Sequence, residues 1–455
     1  MRLIARYAQE RETTFEIITV FDTTIRRDVI SKEAPVIPTL AREHPAALWF
    51  ERKMHDDFGI RIADAFDQRP LVHQERFPRN LHPLQKAFRD THILPAAYRP
   101  YKYETIHGDG VFQVAVGPIH AGIIEPGHFH FSQAGEAMLH LEVRHFYKHR
   151  GIEKMLEGKS PQQARPIVER ISGNETIAYQ IAWRDLLLQA SGQTLPMGVQ
   201  KHHAFLLELE RIIHHLTDVG FIPNDAGFGA ALAWGSRLAE EARRMMHRLT
   251  GHRFGFGAIG FEAAERDLDP VRAWIVSLRE ELDRFREWVL DIPSLWDRFD
   301  TTGELAPARA RQYATVGVMA RASGQTLDRR DTSFYAEHGF VMAQQTRGDV
   351  GARFKLRLQE IDTSLTMMEH FLEKDVSRME VEPLRDGEYM SYCESALGEL
   401  FMTMTLRDGV IDRFFVRDPS FVNWQVLPLL MRRDIIADFP LINKSCDLSY
   451  AGNDL

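Results

Sequence analysis

Cysteine is nearly absent from this sequence of 455 residues, which contains only Cys393 and Cys446. Two cysteines exclude a disulfide framework, and by themselves they supply neither a four-cysteine zinc site nor an iron–sulfur cluster. Because sparse cysteine is typical of a reducing compartment, we expect the chain to be cytoplasmic.

Long apolar runs and surplus positive charge are missing as well. No window approaches the roughly 18 continuous apolar residues of a membrane-spanning helix, and charged residues stand too early for a secretory signal. We therefore expect no direct membrane span. The net charge of -8 argues against nucleic acid as a partner, because proteins that bind a phosphate backbone need a positive stripe.

Motifs that would assign a reaction are also absent. Neither "VGPIHAG" (116–122) nor "GFGAIGF" (255–261) has the glycine spacing of a dinucleotide or Walker site after a strand. The sequence also has no Gly-x-Ser-x-Gly elbow of a serine hydrolase. Composition and spacing alone therefore indicate a soluble protein of mixed helix and strand without assigning chemistry.

The length and the residue patterns divide the chain into two parts. Single hydrophobic cores rarely exceed roughly 250–300 residues, and a stretch rich in Pro, Arg and Tyr at 74–104 is typical of an extended connection. We place the boundary near residue 100, which gives domains 1–100 and 101–455. In the first domain, residues 15–22 are predicted as a strand and residues 44–60 as an amphipathic helix.

The second domain is predicted to contain small antiparallel sheets and a central helical bundle, so that the fold class is α+β. Residues 111–143 hold strand-like runs joined by glycine-bearing turns, and residues 399–417 form a hairpin pattern around Asp408-Gly409. The tail, residues 438–455, is predicted as a loop. Apolar residues at three- and four-residue spacing predict long helices, at 160–190, 199–218, 226–249, 270–291 and 349–374.

Two pairs of residues carry possible metal chemistry. His128 and His130 lie on one face of a predicted strand and could chelate an ion, or they are packed core histidines. Glu210 and His214 are four apart on a predicted helix, whereas di-iron bundles use Glu-x-x-His twice. For this second pair, buried polar pairing is the favoured interpretation.

Seven stretches of the second domain stand in the order of one known family: "VGPIHAGIIEPGHFHF", "HRGIEKMLEGKS", "ELERIIHHL", "VGVMARASGQTLDRRD", "ESALGEL", "DPSFVNW" and "FPLINKSCDLS". They resemble the large subunit of nickel–iron hydrogenases, and more closely its relatives in energy-converting hydrogenases and the large core subunit of respiratory complex I. Residues 15–88, with "ERKMHDDFGI" and "HPLQKAF", are similar to the small core subunit of complex I, which formate-hydrogenlyase-type enzymes carry fused to the large one. We expect this first domain to be shortened on its N-terminal side relative to that subunit.

The resemblance implies where the family holds its nickel–iron centre. Its four cysteine ligands correspond here to Ser172, Glu175, Ser449 and Gly452, and the arginine beside the centre corresponds to Leu397. Soft thiolates suit nickel and iron, whereas serine, glycine and a single carboxylate do not replace them. We therefore expect the large-subunit fold with no cofactor in this chain.

A quinone site of the complex I type is also not expected. The resemblance implies a histidine and a tyrosine that bind the quinone head group, and these positions correspond to Ile124 and Ile167. Aliphatic side chains offer neither a hydrogen-bond donor nor a proton.

Acidic residues persist around the expected cavity. Glu125 matches the glutamate that passes protons in hydrogenases, and we expect His128, Arg170, Glu175 and Asp447 to continue a polar path from it into the cavity. The alternative is that Glu125 and Arg170 form a structural salt bridge, because a buried carboxylate is costly unless it is paired or titrates.

Three functions follow for testing. The first is a metal-free subunit with a structural and proton-coupling role in a complex-I-like or energy-converting-hydrogenase-related assembly. Its partners would be an iron–sulfur small subunit, possibly with a 4Fe-4S cluster, and membrane ion-translocating subunits, on the cytoplasmic side of the inner membrane. The second is a redox subunit that reduces quinone or another acceptor through the partner's cluster. The third is a metal-dependent hydrolase that uses His128 and His130.

Overall fold

The N-terminal region combines a small sheet with one helix. A computed structural model describes residues 1–89, 93–120, 124–263, 268–372 and 377–455. Strands β1 (Leu3–Glu10), β2 (Thr14–Phe21) and β3 (Ile25–Ser31) form an antiparallel sheet in that order. Helix α1 (Ala47–Phe58) joins two short parallel strands, β4 (Val36–Pro38) and β5 (Arg61–Ala63). The predicted strand and helix of this region are confirmed.

A second antiparallel sheet follows the long connection, as the sequence predicts. It consists of β6 (Val111–Val116), β7 (His128–Ala134) and β8 (Ala137–Arg144) in sequence order. Residues 90–92 of the predicted connection and residues 121–123 of the stretch "VGPIHAGIIEPGHFHF" lie outside the described residues.

Helices dominate the middle of the chain. The prediction of one helix at 160–190 is wrong, because residues 169–175 divide it into two helices, Pro161–Val168 and Thr176–Ser191. The second helix begins where the carboxylate of Glu210 accepts hydrogen bonds from its first backbone amides. The other four predicted helices are confirmed, although residues 373 and 374 lie outside the described part. The helices of this region are α2 (Ile152–Leu156), α3 (Pro161–Val168), α4 (Thr176–Ser191), α5 (Met197–Asp225), α6 (Gly229–Thr250), α7 (Asp269–Leu290), α8 (Pro293–Phe299), α9 (Pro307–Gln312), α10 (Gly317–Ala322), α11 (Ser333–Glu337) and α12 (Val350–Phe371). Strand β9 (Glu262–Ala263) pairs with β10 (Ser377–Arg378).

Helix α5 is the axis of the bundle, with α6 and α12 packed against it. Gly220 of α5 and Gly235 of α6 let the two backbones meet, since a Cβ on Gly235 would lie 2.6 Å from Gly220 Cα. The bundle places the polar face of α5 beside the C-terminal residues. No helix in the described ranges is both long enough and apolar enough to cross a membrane.

The C-terminal region forms a third antiparallel sheet and then short helices. Strands β11 (Gly387–Glu394), β12 (Glu399–Arg407) and β13 (Val410–Arg417) are adjacent in sequence order, and Asp408 and Gly409 make the predicted hairpin turn with positive φ. After them come α13 (Pro419–Asn423), α14 (Leu427–Leu430), α15 (Phe439–Cys446) and α16 (Tyr450–Asp454), with 3-10 turns at Trp424–Val426, Met431–Arg433 and Ile436–Asp438.

The prediction of a loop at 438–455 is wrong. Pro440 lies in the first turn of α15, Leu441 and Ile442 are fully buried in this helix, and Asp447 follows its last residue in the left-handed conformation. Ser449 then caps α16. Two helices of eight and five residues are too short for a periodic apolar pattern to stand out.

The first and third sheets pack together. The rings of Tyr7 on β1 and Phe415 on β13 are stacked with centroids 4.4 Å apart, and Arg413 Nε donates to Ala8 O. One apolar core runs from Leu3 to Leu455. The division near residue 100 stays a prediction.

Candidate functional site: a cavity at the end of the bundle

A cavity of about 670 Å³ lies between α5, α6, α15 and the residues that follow α3. Helix α5 contributes Glu210, His214 and Asp218 at four-residue intervals, which places all three on one helix face. Ser172 and Ser449, two of the positions implied for metal ligands, line the same cavity. The structure therefore brings these sequence-distant residues together.

The two serines bind each other. Ser172 Oγ and Ser449 Oγ lie 3.2 Å apart, and both side chains are buried. Ser449 Oγ also accepts from the backbone amide of Gly452 at 2.9 Å, which caps α16. The Ser449 hydroxyl thus stabilises the start of α16.

Glu175 is fully buried behind the cavity wall and does not line the cavity. The hydroxyl of Ser395 donates to Glu175 Oε1. Burial, and then the nearby carboxylate of Asp418, raise the pKa of Glu175 well above its ordinary value. Asp418 accepts from the hydroxyl of Tyr179 and from the backbone amide of Ser420, each at 2.8 Å. Glu175 is therefore a carboxyl group that favours its protonated form.

Gly452 leaves space for Asp418. An ideal Cβ on Gly452 would lie 2.0 Å from Asp418 Oδ2, which is less than any real Cβ contact. A cysteine side chain at position 452 would need the place that the carboxylate occupies.

These residues do not fit a nickel–iron centre. Such a centre requires several thiolates, whereas the four positions offer two mutually bound hydroxyls, one carboxyl group and a glycine. The cysteines do not compensate: Cys393 is on β11 and Cys446 ends α15, both are buried, and neither lines the cavity. Burial raises the pKa of both thiols, which disfavours the thiolate.

Glu210 has a structural partner that its sequence position does not reveal. Its carboxylate accepts from the backbone amides of Ile177 at 2.6 Å and Ala178 at 3.1 Å, at the start of α4. Despite these bonds, burial raises the pKa of Glu210 to about 8. Glu210 and His214 are thus both buried and both paired with polar groups, in line with the favoured interpretation, although their partners are other residues.

A charged cluster occupies the other end of the same helix face. His214 Nε2 lies 3.1 Å from Asp447 Oδ2 and 3.5 Å from Asp218 Oδ2. Lys444 pairs with both aspartates, and Arg357 Nε donates to Asp218 Oδ2 at 2.7 Å. Burial and the charge of Asp447 raise the pKa of Asp218. Burial acts in the same sense on Asp447, but the Lys444 ammonium and His214 hold its pKa well below the ordinary value.

This cluster is the one group of metal-ligand type in the described ranges: one ligand atom from each of His214, Asp218 and Asp447 lies within 4.8 Å of the others. The Lys444 ammonium already provides a cation there. His128 and His130 have no third ligand of this kind in the described part of the chain, and the His130 ring stacks on Tyr103 with centroids 4.7 Å apart. The packed interpretation of this pair fits the geometry, and the hydrolase hypothesis loses its support.

The predicted polar path is only partly assembled. Glu125 and Asp447 line the cavity, whereas His128 and Arg170 do not. On β7, Phe129 faces the cavity, and His128 points to the opposite side, where its Nδ1 lies 3.1 Å from Gly117 O.

Arg170 lies at the surface. Its guanidinium pairs with Glu169 and lies 4.3 Å from the Phe256 ring centroid. Glu125 instead pairs with Lys148 and accepts from the amide of Ala451 at 3.0 Å. The alternative prediction, a structural salt bridge between Glu125 and Arg170, is therefore wrong.

Only one of the two positions implied for quinone binding lines the cavity. Ile124 lines the cavity and is half-exposed, whereas Ile167 on α3 does not line it. Leu397 is buried, and its carbonyl oxygen lies so close to Gly317 that a Cβ there would be 1.9 Å away. None of the three side chains carries a polar group.

Comparisons with known proteins cover both regions. Residues 225–383 match the family model of the respiratory-chain NADH dehydrogenase 49 Kd subunit, and residues 2–92 match that of the 30 Kd subunit. Formate hydrogenlyase subunit 5 of Escherichia coli (strain K12) is 29% identical over 451 residues, 95% of this chain and 79% of that protein. Hydrogenase-4 component G of the same organism is 27% identical over 442 residues, covering 94% and 77%.

A relative from another group joins the two regions in the same way. The C/D subunit of the NADH-quinone oxidoreductase of Phocaeicola vulgatus is 26% identical over 465 residues, covering 94% of this chain and 89% of that one. Among solved structures, a chain of the membrane-bound sulfane sulfur reductase, an archaeal respiratory membrane complex, matches with a TM-score of 0.69 and 21% identity, covering 76% of this chain and 99% of that one, which shows a shared fold. This chain belongs to the superfamily of complex-I-like large subunits, in the form that joins 30 Kd-type and 49 Kd-type regions.

Proposed function

We propose that this chain is a peripheral subunit of a membrane-associated, complex-I-like or energy-converting-hydrogenase-related assembly, and that it has a structural and proton-coupling role without a nickel–iron centre. The names of its relatives, a formate hydrogenlyase subunit, a hydrogenase-4 component and NADH-quinone oxidoreductase subunits, support membership of such an assembly. Its partners would be an iron–sulfur small subunit and membrane ion-translocating subunits, on the cytoplasmic side of the membrane.

The residues at the four implied ligand positions support the proposal that this subunit lacks a nickel–iron centre. The hydroxyls of Ser172 and Ser449 bind each other, Glu175 is held by Ser395, and a side chain at Gly452 would collide with Asp418. A hydroxyl is far too basic to replace a thiolate without strong help, and one carboxylate cannot hold two metals. Hydrogen chemistry at this site would lack its cofactor.

Carboxyl groups with raised pKa values support the proton-coupling part. Glu210 lines the cavity with a pKa of about 8, and Glu175 lies behind the wall with a pKa well above the ordinary value. A carboxyl group with a pKa of about 8, such as that of Glu210, can take up and release a proton near neutral pH. Glu125, His214 and Asp447 extend the titratable lining of the same cavity.

Two substitutions in the native assembly test the proton-coupling role. Glu125→Gln and Glu210→Gln remove a proton site while keeping the size of the side chain, so both should abolish proton movement into closed membrane vesicles. The matched control is Glu241→Gln on the exposed side of α6. Intact assembly is checked by native gel electrophoresis. Normal proton movement by both variants in an intact assembly would contradict the role.

The alternative function is a redox subunit that reduces quinone or another acceptor through a partner's cluster. The size of the cavity and its apolar wall of Val116, Phe129 and Phe439 favour it, since small-molecule pockets are concave and mostly apolar. Electron paramagnetic resonance of the reduced native assembly decides between the two. A 4Fe-4S signal that an added quinone reoxidises favours the redox function, and an assembly without any cluster favours the coupling function.

A further inference from the structure

A second cavity, of about 820 Å³, shares no lining residue with the first. It is formed by the residues after β5 and by the extended connection at 98–104, with Arg144 of β8. Its volume suits a small organic ligand, because such pockets usually measure roughly 300–1,000 Å³.

One wall of this cavity is rigid and electrically balanced. The Tyr101 ring lies between the guanidinium groups of Arg144, at 4.2 Å from its centroid, and Arg69, at 5.2 Å. Arg69 is paired with Asp67 and Arg144 with Glu75. Since each of these two arginines is already paired with a carboxylate, this wall contributes to the shape of the cavity but adds no unpaired charge to it.

The rim of this cavity carries three positively charged side chains. Arg79, Arg99 and Lys102 line the cavity, and all three are exposed. Within the described residues, none of their side chains has a carboxylate within salt-bridge distance. The exposed carboxylate on the rim, Glu104, lies 3.6 Å from Arg69. The rim thus attracts a ligand with more than one negative charge.

A buried polar group lines the same cavity. His73 is only 5% exposed, its ring stacks on Phe77 with centroids 4.2 Å apart, and its Nε2 makes no hydrogen bond within the described residues. Buried polar atoms are normally hydrogen-bonded, so Nε2 is an unsatisfied polar atom in the wall of this cavity. Burial lowers the pKa of His73, which keeps the ring neutral.

We propose that this second cavity binds a phosphate-bearing ligand, with its phosphates at Arg79, Arg99 and Lys102 and its remaining part against the Tyr98 ring. Guanidinium groups suit phosphate oxygens in both charge and geometry, and three unbalanced cations match a diphosphate better than a single carboxylate. The recognition uses side chains, which is consistent with the absence of a glycine-rich phosphate loop. The phosphate can belong to a soluble nucleotide or to a lipid headgroup.

Calorimetric titration of the purified full-length chain tests both sources. The probes are ADP, vesicles of phosphatidylglycerol in phosphatidylcholine, and vesicles of phosphatidylcholine alone. The test variant is Arg79→Gln with Arg99→Gln and Lys102→Gln. The control variant, Arg244→Gln with Arg309→Gln and Arg311→Gln, removes the same charge from exposed helical positions.

The proposal expects ADP or the phosphatidylglycerol vesicles to bind the wild type and the control variant alike. It expects the test variant to bind at least about tenfold more weakly, because this variant loses the charge-assisted hydrogen bonds that would hold the phosphate groups. Binding of ADP identifies a soluble ligand, and binding of the charged vesicles identifies a lipid. Binding of neither probe, or equal binding by the test and control variants, would overturn the proposal and would leave the role of the first cavity untouched.

Discussion

Asp418 occupies the space that a side chain at position 452 would need, with Oδ2 at 2.0 Å from the ideal Cβ position of Gly452. The carboxylate is held there by hydrogen bonds, because the hydroxyl of Tyr179 and the backbone amide of Ser420 donate to it. Asp418 is also the N-cap residue of α13. The last of the four implied ligand positions is therefore a glycine, and the Asp418 carboxylate fills the space that a side chain there would need.

Replacing Gly452 by alanine should destabilise the protein. The added methyl group overlaps a buried and hydrogen-bonded carboxylate, and overpacking of this kind typically costs about 1–3 kcal/mol. Thermal unfolding measures the effect as a lower Tm. Gly173→Ala is the matched control, since nothing lies within 4 Å of its Cβ position. Equal Tm values for the two variants would refute the overlap. Combining Gly452→Ala with Asp418→Ala should give less than the sum of the single effects, because the overlap disappears.

The buried carboxyl of Glu210 predicts a defined pH dependence. Its pKa is raised from 4.5 to about 8 in the folded protein, so its contribution to stability is fully present below pH 4.5 and is lost as the pH rises to about 8. Glu210→Gln stays neutral, and the Tm of this variant relative to the wild type should rise across that interval. The control Glu241→Gln, on the exposed face of α6, should leave the pH profile of the wild type unchanged. A difference between Glu210→Gln and wild type that does not vary with pH would contradict the raised pKa.

A fully buried ion network behind the cavity predicts a large loss of stability. Arg321 Nε donates to Glu360 at 2.8 Å, and its NH1 lies 2.7 Å from Glu394 and 3.2 Å from Asp328. Arg321→Met would remove the cation that the three carboxylates share and would leave Glu394 without a salt-bridge partner in the described part of the core, whereas Asp328 keeps Arg330 and Glu360 keeps His215. Breaking a buried ion pair in this way costs about 3–5 kcal/mol. Denaturant unfolding should show it.

The surface pair Arg237–Glu241 provides the comparison for that network. Its side chains are 50% and 42% exposed. Arg237→Met should therefore cost less than about 1 kcal/mol, because exposed ion pairs contribute little. If Arg321→Met and Arg237→Met unfold at the same denaturant concentration, the network is not what stabilises this part of the core.

Local patterns predicted the regular elements well where those elements are long or have a distinctive turn. The spacing of apolar residues along α5 and the Asp408-Gly409 turn between β12 and β13 both gave the right structure. The break between α3 and α4 was missed, because the carboxylate of Glu210 that binds the start of α4 lies 33 residues away in the chain.

The candidate site was harder to predict for the same reason. The resemblance directs attention to Ser172 and Ser449, whose hydroxyl groups lie next to each other in the structure. It gave no role to Asp418 or Tyr179, whose bond joins residues 239 positions apart. His128 and Arg170 were placed on the path by their positions in family motifs, but the side of β7 on which His128 lies and the partner of Arg170 depend on the assembled fold.

The metal content of the native assembly tests the central claim most directly. Elemental analysis of the purified complex, together with an assay for hydrogen evolution, measures whether this chain holds a nickel–iron centre. The account predicts no nickel above the background of a chain-deleted preparation and no hydrogen evolved. Stoichiometric nickel, with one ion for each copy of this chain, would contradict it.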